Sequence, residues 1–140
     1  MSLKPVRTYI KDRLAATDSA FKEHTDGFNT DNIGRNTLNK SYHILVDSVD
    51  NQESGGNYVQ DSISLKVELY FKGYRNIQSA IDNAIDKAHD FKLRAINPAN
   101  WTSTVKSVVC DNIRTTTLDA NDNVVIMEID LTIMAASAVI

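Results

Sequence analysis

Hydrophobic and polar residues alternate most regularly in the last part of the chain. From Val124 onward every second residue is apolar, and a period of two over about ten residues is typical of a half-buried β-strand. The segment Val105–Leu118 contains three consecutive threonines, which favour extended backbone. We therefore predict a closing hairpin whose second strand buries five apolar side chains: Val125, Met127, Ile129, Leu131 and Ile133.

A second hairpin is predicted in the middle of the chain. Val59–Lys72 alternates cleanly between apolar and polar residues, and Lys40–Val49 is a shorter segment of the same kind. Between them, Asp50–Asn57 is polar, acidic and contains two glycines. Such a composition predicts a turn or a mobile flap, across which the two strands pair.

Two segments show helical spacing instead. In the first, apolar residues recur every three or four positions from Leu3, which predicts a helix over about Pro5–Ala16. The second predicts a helix over Asn76–Ile96, with Asn76 as its N-cap. Asn97-Pro98 follows and ends that helix, because the residue before a proline disfavours helical backbone.

The order of these elements predicts one α+β domain spanning residues 1–140. We expect a four-stranded, mainly antiparallel sheet with two helices packed on one face. Flexible loops are expected at about 17–39 and 50–58. The first loop either contains a short helix near Ser19–His24 or contacts a partner, and the sequence leaves both interpretations open.

Composition narrows the range of possible functions. The chain has 140 residues, of which 42% are hydrophobic, so a single domain with a substantial core is expected. A net charge of −3 gives no electrostatic reason for nucleic-acid binding as the main task. No apolar run is long enough to span a membrane, and the N-terminal residues lack the apolar core of a signal peptide. We therefore expect a protein made in a reducing cytosol, which agrees with the single Cys110.

Charge is unevenly distributed along the chain. The first helix is basic, whereas the segment from Ser41 to Leu65 contains four acidic residues and neither lysine nor arginine. The simpler interpretation is a solvated surface with uneven charge and no functional role. The alternative is complementary contact between copies of the chain. The run Met134–Ile140 is apolar or neutral, so we expect it to be covered by its own fold or by a neighbouring subunit.

The residues that could carry chemistry do not form a catalytic or metal-binding pattern. His24, His43 and His89 lack metal-ligand spacing, and Cys110 lies in an apolar strand, where we expect a buried thiol. Acidic residues at positions 128 and 130 share one strand face, which is typical of the solvated side of a strand. We predict no enzyme, no metal and no cofactor.

The arrangement resembles the tail-terminator, or tail-completion, proteins of long-tailed bacteriophages. The resemblance lies in the basic opening helix with Pro5 and Arg7 and in the hairpin around the acidic segment Asp50–Asn57. The central helix Asn76–Ile96 and the closing hairpin Val105–Met134 complete it.

This resemblance implies a structural virion protein of the tail and neck, assembled in the host cytoplasm. It would form a homo-oligomeric ring, usually of six subunits, that caps the tail tube, ends its polymerisation and presents a docking face to the head connector. The partners implied are the tail tube protein and the head–tail connector protein, while DNA passes through the lumen without specific binding. The residues expected at subunit or partner interfaces are Lys4, Arg7, Lys11, Asp47, Asp50, Glu53, Asp61, Val139 and Ile140.

Two other functions remain open from the sequence. A tail-tube or baseplate subunit is built from similar sheet-and-helix parts. A small ligand-binding α+β domain is the second, and it would need a pocket with convergent polar groups.

Overall fold

The computed structural model of the protein describes residues 3–23, 39–55, 58–73, 76–117 and 124–138. Over these residues the chain forms two helices, five strands and a short 3-10 turn. In chain order the elements are α1 (Lys4–Thr17), β1 (Lys22–Glu23), β2 (Ser41–Gly55), β3 (Tyr58–Lys72), α2 (Ile77–Ile96), the 3-10 turn (Pro98–Asn100), β4 (Val105–Thr117) and β5 (Val124–Ala138).

The strands form one mixed sheet in the order β1-β2-β3-β5-β4. All neighbouring pairs are antiparallel except β1 and β2, which are parallel. The α+β class and both predicted hairpins are therefore confirmed, but the sheet has five strands where four were expected. Periodicity missed β1 because it is only two residues long. Tertiary contact defines this strand, since the Lys22 N–H donates to the Lys40 carbonyl at 3.0 Å.

Two local predictions need correction. The stretch from Asp50 to Gly55 is not a flap, because β2 continues through it in a ladder that ends at the Gly55–Tyr58 pair. Pairing with the long strand β3 overrides the poor strand propensity of these acidic and glycine residues. The short helix expected near Ser19–His24 is absent over residues 19–23, where a turn leads into β1. The rest of the predicted loop at 17–39, from residue 24 to 38, lies outside the described residues.

Both helices pack on the same face of the sheet, as predicted. The apolar residues of β3 and β5 on this face are buried among residues of α1 and α2. Helix α2 contributes small alanines, which let its backbone approach the strands closely. The largest fully buried side chains of this core are Ile10, Leu14, Ile44, Ile63, Leu65, Leu69, Phe71, Phe91, Met127, Ile129 and Leu131.

The C-terminal end of α2 is fixed by side-chain donors from two other segments. The Tyr9 hydroxyl donates to the Ala95 carbonyl at 2.6 Å, and the Trp101 indole N–H donates to the same oxygen at 3.2 Å. These bonds satisfy a carbonyl that the last helical turn leaves without an intrahelical partner. Burial raises the pKa of Tyr9, so its hydroxyl stays protonated and remains a donor. At the other end, the predicted cap is confirmed, because the Asn76 side chain accepts the Ser79 N–H at 3.1 Å.

Asp18 joins the end of α1 to the sheet and to α2. Its carboxylate accepts the Ala20 N–H at 2.9 Å and lies 3.0 Å from the Lys40 ammonium and 3.3 Å from the Lys87 ammonium. Its side chain is only 13% exposed. The Ala20 N–H, helped by the two ammonium groups, holds the pKa of Asp18 below its usual range despite some desolvation. The carboxylate is therefore charged at neutral pH and ties three elements together.

Candidate assembly surfaces

The basic residues predicted at an interface lie on α1, and two of them contact their own chain. The Lys11 ammonium lies 2.6 Å from the Glu23 carboxylate of β1. Arg7 is half-buried and donates from Nη1 to the Ile44 carbonyl of β2 at 3.5 Å. Lys4 is exposed at the start of the helix. The basic face of α1 is thus used in part to attach the helix to the β1–β2 side of the sheet.

The predicted acidic residues divide into exposed and buried positions. Asp47 and Asp50 are exposed on β2. Asp61 is only 7% exposed, and its carboxylate accepts a hydrogen bond from the Asn51 amide at 3.3 Å. Its charge is therefore not displayed for a partner. The backbone of Glu53 pairs with Gln60, while the Glu53 side chain lies outside the described part of the chain.

The apolar C-terminal run is partly covered by its own fold as far as the structure describes it, since Met134, Ala136 and Ser137 are half-buried. Strand β5 extends to Ala138, which pairs with Tyr58. Ala135 is fully buried, and the Ala136 N–H donates to the Thr104 carbonyl at 2.8 Å. The remaining two predicted interface residues, Val139 and Ile140, lie outside the described residues.

The second face of the sheet carries charged side chains in rows that cross the strands. We call it the polar face. Strand register places Glu68 of β3 opposite Glu128 of β5, and Glu128 opposite Arg114 of β4. In the next row, Lys66 lies opposite Asp130. Like charges directly opposite each other are destabilising, so the Glu68–Glu128 pair requires compensating cations.

Arg114 supplies most of that compensation. Its guanidinium lies 3.1 Å from the Glu128 carboxylate and 3.2 Å from that of Asp130. Lys66 approaches Glu128 more loosely, at 3.9 Å. The Tyr70 hydroxyl donates to Glu68 at 3.1 Å, and burial together with this carboxylate raises the pKa of Tyr70. The cluster is an ion-pair network in which each carboxylate has a partner.

The two outer edges of the sheet are open over most of their length. In the described part of the chain, β1 pairs with β2 only at Ser41 and Tyr42, and no strand pairs with the outer side of β4. From residue 45 to 55, no described strand pairs with the outer side of β2, and β4 spans 13 residues. Because the strand pairs β2–β3, β3–β5 and β5–β4 are all antiparallel, β2 and β4 point in opposite directions.

Each of the two edge strands has two bulges, and one bulge of β2 lies at the same height as one bulge of β4. Between the rows of Leu45–Asn112 and Ser48–Val109, each edge strand has two residues, whereas the central strands have one each, the paired Leu65 and Leu131. The extra residue is Asp47 in β2 and Asp111 in β4. Bulges at sheet edges bend the strand and discourage indiscriminate pairing. Here the two edges stay in step with each other across the bend.

Exposed apolar side chains occur on both the strands and α2. Val49 on β2 is 46% exposed and Val109 on β4 is 54% exposed. On α2, Ile85 and Leu93 are 45% and 50% exposed and lie on one side of the helix, eight residues apart. Single exposed aliphatic residues are common on protein surfaces, but those on the two strands lie close to the open edges.

The candidate chemical residues are separate from one another. Cys110 is only half-buried against the core, whereas a buried thiol was expected. Desolvation still raises the pKa of its thiol, which disfavours the nucleophilic thiolate. His43 lies on β2 and His89 on the exposed side of α2, while His24 is outside the described residues. Among the residues that the structure places, no three His, Cys, Asp or Glu side chains are arranged to hold a metal ion.

An open groove separates the start of α1 from the segment 102–104. Its charged lining residues are Lys4 and Asp12, and the other polar groups are hydroxyls, including those of Thr8 and Ser103. Its volume is about 390 Å³, near the lower end of the range for small-molecule sites. The groove is wide open to solvent, so it does not provide the enclosure that buries most of a ligand's surface.

Comparisons with known proteins do not assign a family. No protein-family model matches the chain, and no curated sequence matches it significantly. Neither described helix is both long and apolar enough to cross a membrane. The function is therefore inferred from the fold and its surfaces.

Sequence reasoning missed the role of Arg114. It is the one cation from Ser107 to the end of the chain, and this isolation among acidic residues was a usable signal. Its acidic partners, Glu128 and Asp130, were predicted to lie on a solvated face, and their side chains are 26% exposed. The partnership depends on the register of β4 against β5, which the pattern of residues does not determine.

Proposed function

We propose that this chain is a structural virion subunit that caps the tail tube of a long-tailed bacteriophage as an oligomeric ring, with six copies expected. The ring would end tube polymerisation and give the head connector a docking face. The observation that carries the proposal is the pair of open, oppositely directed edges on β2 and β4. Each copy thereby has one edge to offer to a neighbour on either side.

Such a subunit is suited to closure into a ring. A head-to-tail contact uses two different surfaces of the same protein, and repetition of the contact closes when its rotation divides a full turn. The two helices lie on one face of the sheet, and α1 contacts the β2 edge at Ile44; beyond Ile44, no described strand pairs with the outer side of β2 or of β4. A ring built from such contacts has a fixed number of copies, as a cap requires.

Charge supports the passage of DNA without capture. The exposed carboxylates of Asp47 and Asp50 lie in a segment without lysine or arginine. If the β2 edge and the polar face line the lumen, these groups repel phosphates. This part of the proposal predicts weak binding to double-stranded DNA that does not tighten at low salt, measured by fluorescence anisotropy. Tight, salt-sensitive binding would contradict it.

The same open edges also suit a tail-tube or baseplate subunit, which remains the second candidate. A tube subunit stacks without limit, whereas a terminator stops at one ring. Negative-stain electron microscopy of the purified protein separates the two. Discrete rings of uniform diameter are expected from the proposal, while filaments would favour the tube subunit. A protein that remains a single-copy particle under all assembly conditions, including contact with tube ends, would contradict both.

A further inference from the structure

We propose that neighbouring copies join by pairing β4 of one copy with the open part of β2 of the next, so that the sheet continues from subunit to subunit. The inference rests on the proposed ring and specifies the junction that builds it. The partner at this surface is a second copy of the chain.

Strand direction and length support this junction. Beyond Ile44, whose carbonyl accepts Arg7, β2 offers residues 45–55, and β4 offers the 13 residues from Val105 to Thr117. If neighbouring copies keep the same orientation, their β2 and β4 edges run antiparallel. The polar faces then lie on the same side of the continued sheet. Antiparallel pairing of exposed backbone groups is a common route by which one chain extends the sheet of another.

The bulges determine which register the junction can adopt. When two copies stand at the same level, Leu45 lies opposite the neighbour's Asn112 and Ser48 lies opposite its Val109. Because each edge has two residues between these rows, the two strands remain in step across this bend as far as the Asp50–Ser107 row. A strand without such a bulge would lose register at the bend and expose unpaired backbone groups. Beyond the Asp50–Ser107 row β4 has an extra residue, Lys106, which β2 does not match, so the level pairing ends there.

Charge selects this pairing over pairing of β2 with itself. Two β2 edges would bring the acidic stretch containing Asp47 and Asp50 against its own copy, with no cation to offset it. In the proposed junction, Asp50 lies opposite the neighbour's Ser107, beside the exposed Lys106. Opposite charges across neighbouring strands stabilise the pair.

One feature of the junction opposes it. At the bulge, Asp47 comes to the level of the neighbour's Asp111, whose carboxylate accepts the Thr132 hydroxyl at 2.6 Å. The proposed pairing therefore makes opposite predictions for two acidic residues. Asp50→Lys should weaken assembly at least tenfold, whereas Asp111→Asn should strengthen it severalfold, as measured by the protein concentration at half-assembly.

Disulfide trapping tests the junction directly. In a Cys110→Ser background, the double variant Ser48→Cys/Val109→Cys replaces two exposed residues that the proposal places opposite each other between copies. Opposed residues in an antiparallel pair have Cα atoms about 4.5–5.5 Å apart, within the range of a disulfide. Oxidation should give a ladder of covalent oligomers, while each single-cysteine variant should remain uncrosslinked.

The outcomes separate the junction from the proposed function. If native mass spectrometry shows oligomers but oxidation gives no covalent ladder, the β4–β2 junction is wrong while the proposed ring remains supported. If Ser48→Cys/Asn112→Cys crosslinks and Ser48→Cys/Val109→Cys does not, neighbouring copies do not stand at the same level, and the proposed register is wrong. Absence of any oligomer would overturn the ring itself. Hydrogen exchange on the unmodified protein provides a second measurement, because the junction predicts that amides at 47–51 and 107–112 become protected on assembly.

Discussion

On one face of the sheet, apolar side chains pack against two helices and are withdrawn from water. On the polar face, charged side chains pair across strands and remain partly exposed. Leu131 and Thr132 are neighbours in β5, yet the first is 1% exposed in the core and the second lies in the polar rows. The comparison indicates that the helix-covered face supplies most of the folding energy. The polar face and the edges are then available for contacts with other molecules.

The largest expected difference between the two faces is in the free energy of unfolding. Leu131→Ala removes a fully buried side chain and leaves a cavity, so we expect a loss of about 2–5 kcal/mol. Thr132→Ala, the matched control on the polar face, removes one hydrogen bond to Asp111 and should cost about 1 kcal/mol. Urea denaturation of both variants measures the contrast. Equal losses would show that the polar face is as closely packed as the core.

An intermediate loss in the free energy of unfolding is expected at Asp18, where α1 meets the sheet. Asp18→Asn removes the charge that holds Lys40 and Lys87, and should cost about 1–2 kcal/mol at pH 7. The pKa of Asp18 is lower in the folded protein than its ordinary value of 3.8. Its stabilisation is therefore full above that ordinary value and is lost as the pH falls through the folded pKa.

Denaturation at two pH values checks this linkage. The difference between the wild-type protein and Asp18→Asn should be present at pH 7 and should shrink as the pH falls below the ordinary value of 3.8 and then through the lower folded pKa. Asp86→Asn, at an exposed position on α2, serves as the control and should show a smaller, nearly pH-independent effect. A difference for Asp18→Asn that persists unchanged in acid would mean that the carboxylate acts through shape and not through charge.

The smallest expected loss in the free energy of unfolding comes from a substitution on the polar face. Arg114→Ala should cost about 0.5–1 kcal/mol, because the guanidinium is 49% exposed and its ion pairs are screened by water. It also leaves the opposed Glu68 and Glu128 without their main cation. The cost should fall at 1 M salt. Arg94→Ala, which breaks an exposed pair with Asp90 within α2, is the control and should cost less. A cost above about 3 kcal/mol would show that the network is part of the folding core.

Much of this comparison could be predicted from the sequence. Alternation in β3 and β5 identified the residues buried on the helix-covered face, but not the separate buried cluster of Tyr70, Val124 and Ile126 on the polar face. Helical spacing located α1 and α2 to within about two residues. The Asn76 cap was predicted correctly because its side-chain chemistry is local. These features depend on neighbours in the chain, which periodicity and propensity describe well.

The features that the sequence did not predict depend on contacts between residues distant in the chain. Strand β1 exists because Lys22 and Glu23 meet Ser41 and Tyr42. Lys40, with a positive φ of 59°, precedes this contact in a conformation that a lysine seldom adopts. Asp61 is in phase with the buried Ile63 and Leu65 of β3, so the alternation indicated its burial, but its charge led to the prediction of an interface position. The bulges at Asp47 and Asp111 follow from register, and no residue pattern predicts them.

The central claim is that this fold leaves its edges for other copies of itself. Native mass spectrometry across a range of protein concentrations, with and without the Ser48→Cys/Val109→Cys crosslink, tests it most directly. One closed oligomer of six copies is expected, whose population rises with protein concentration and which the crosslink traps covalently. A single-copy species at every concentration, with the crosslinking pair remaining as free thiols, would contradict it.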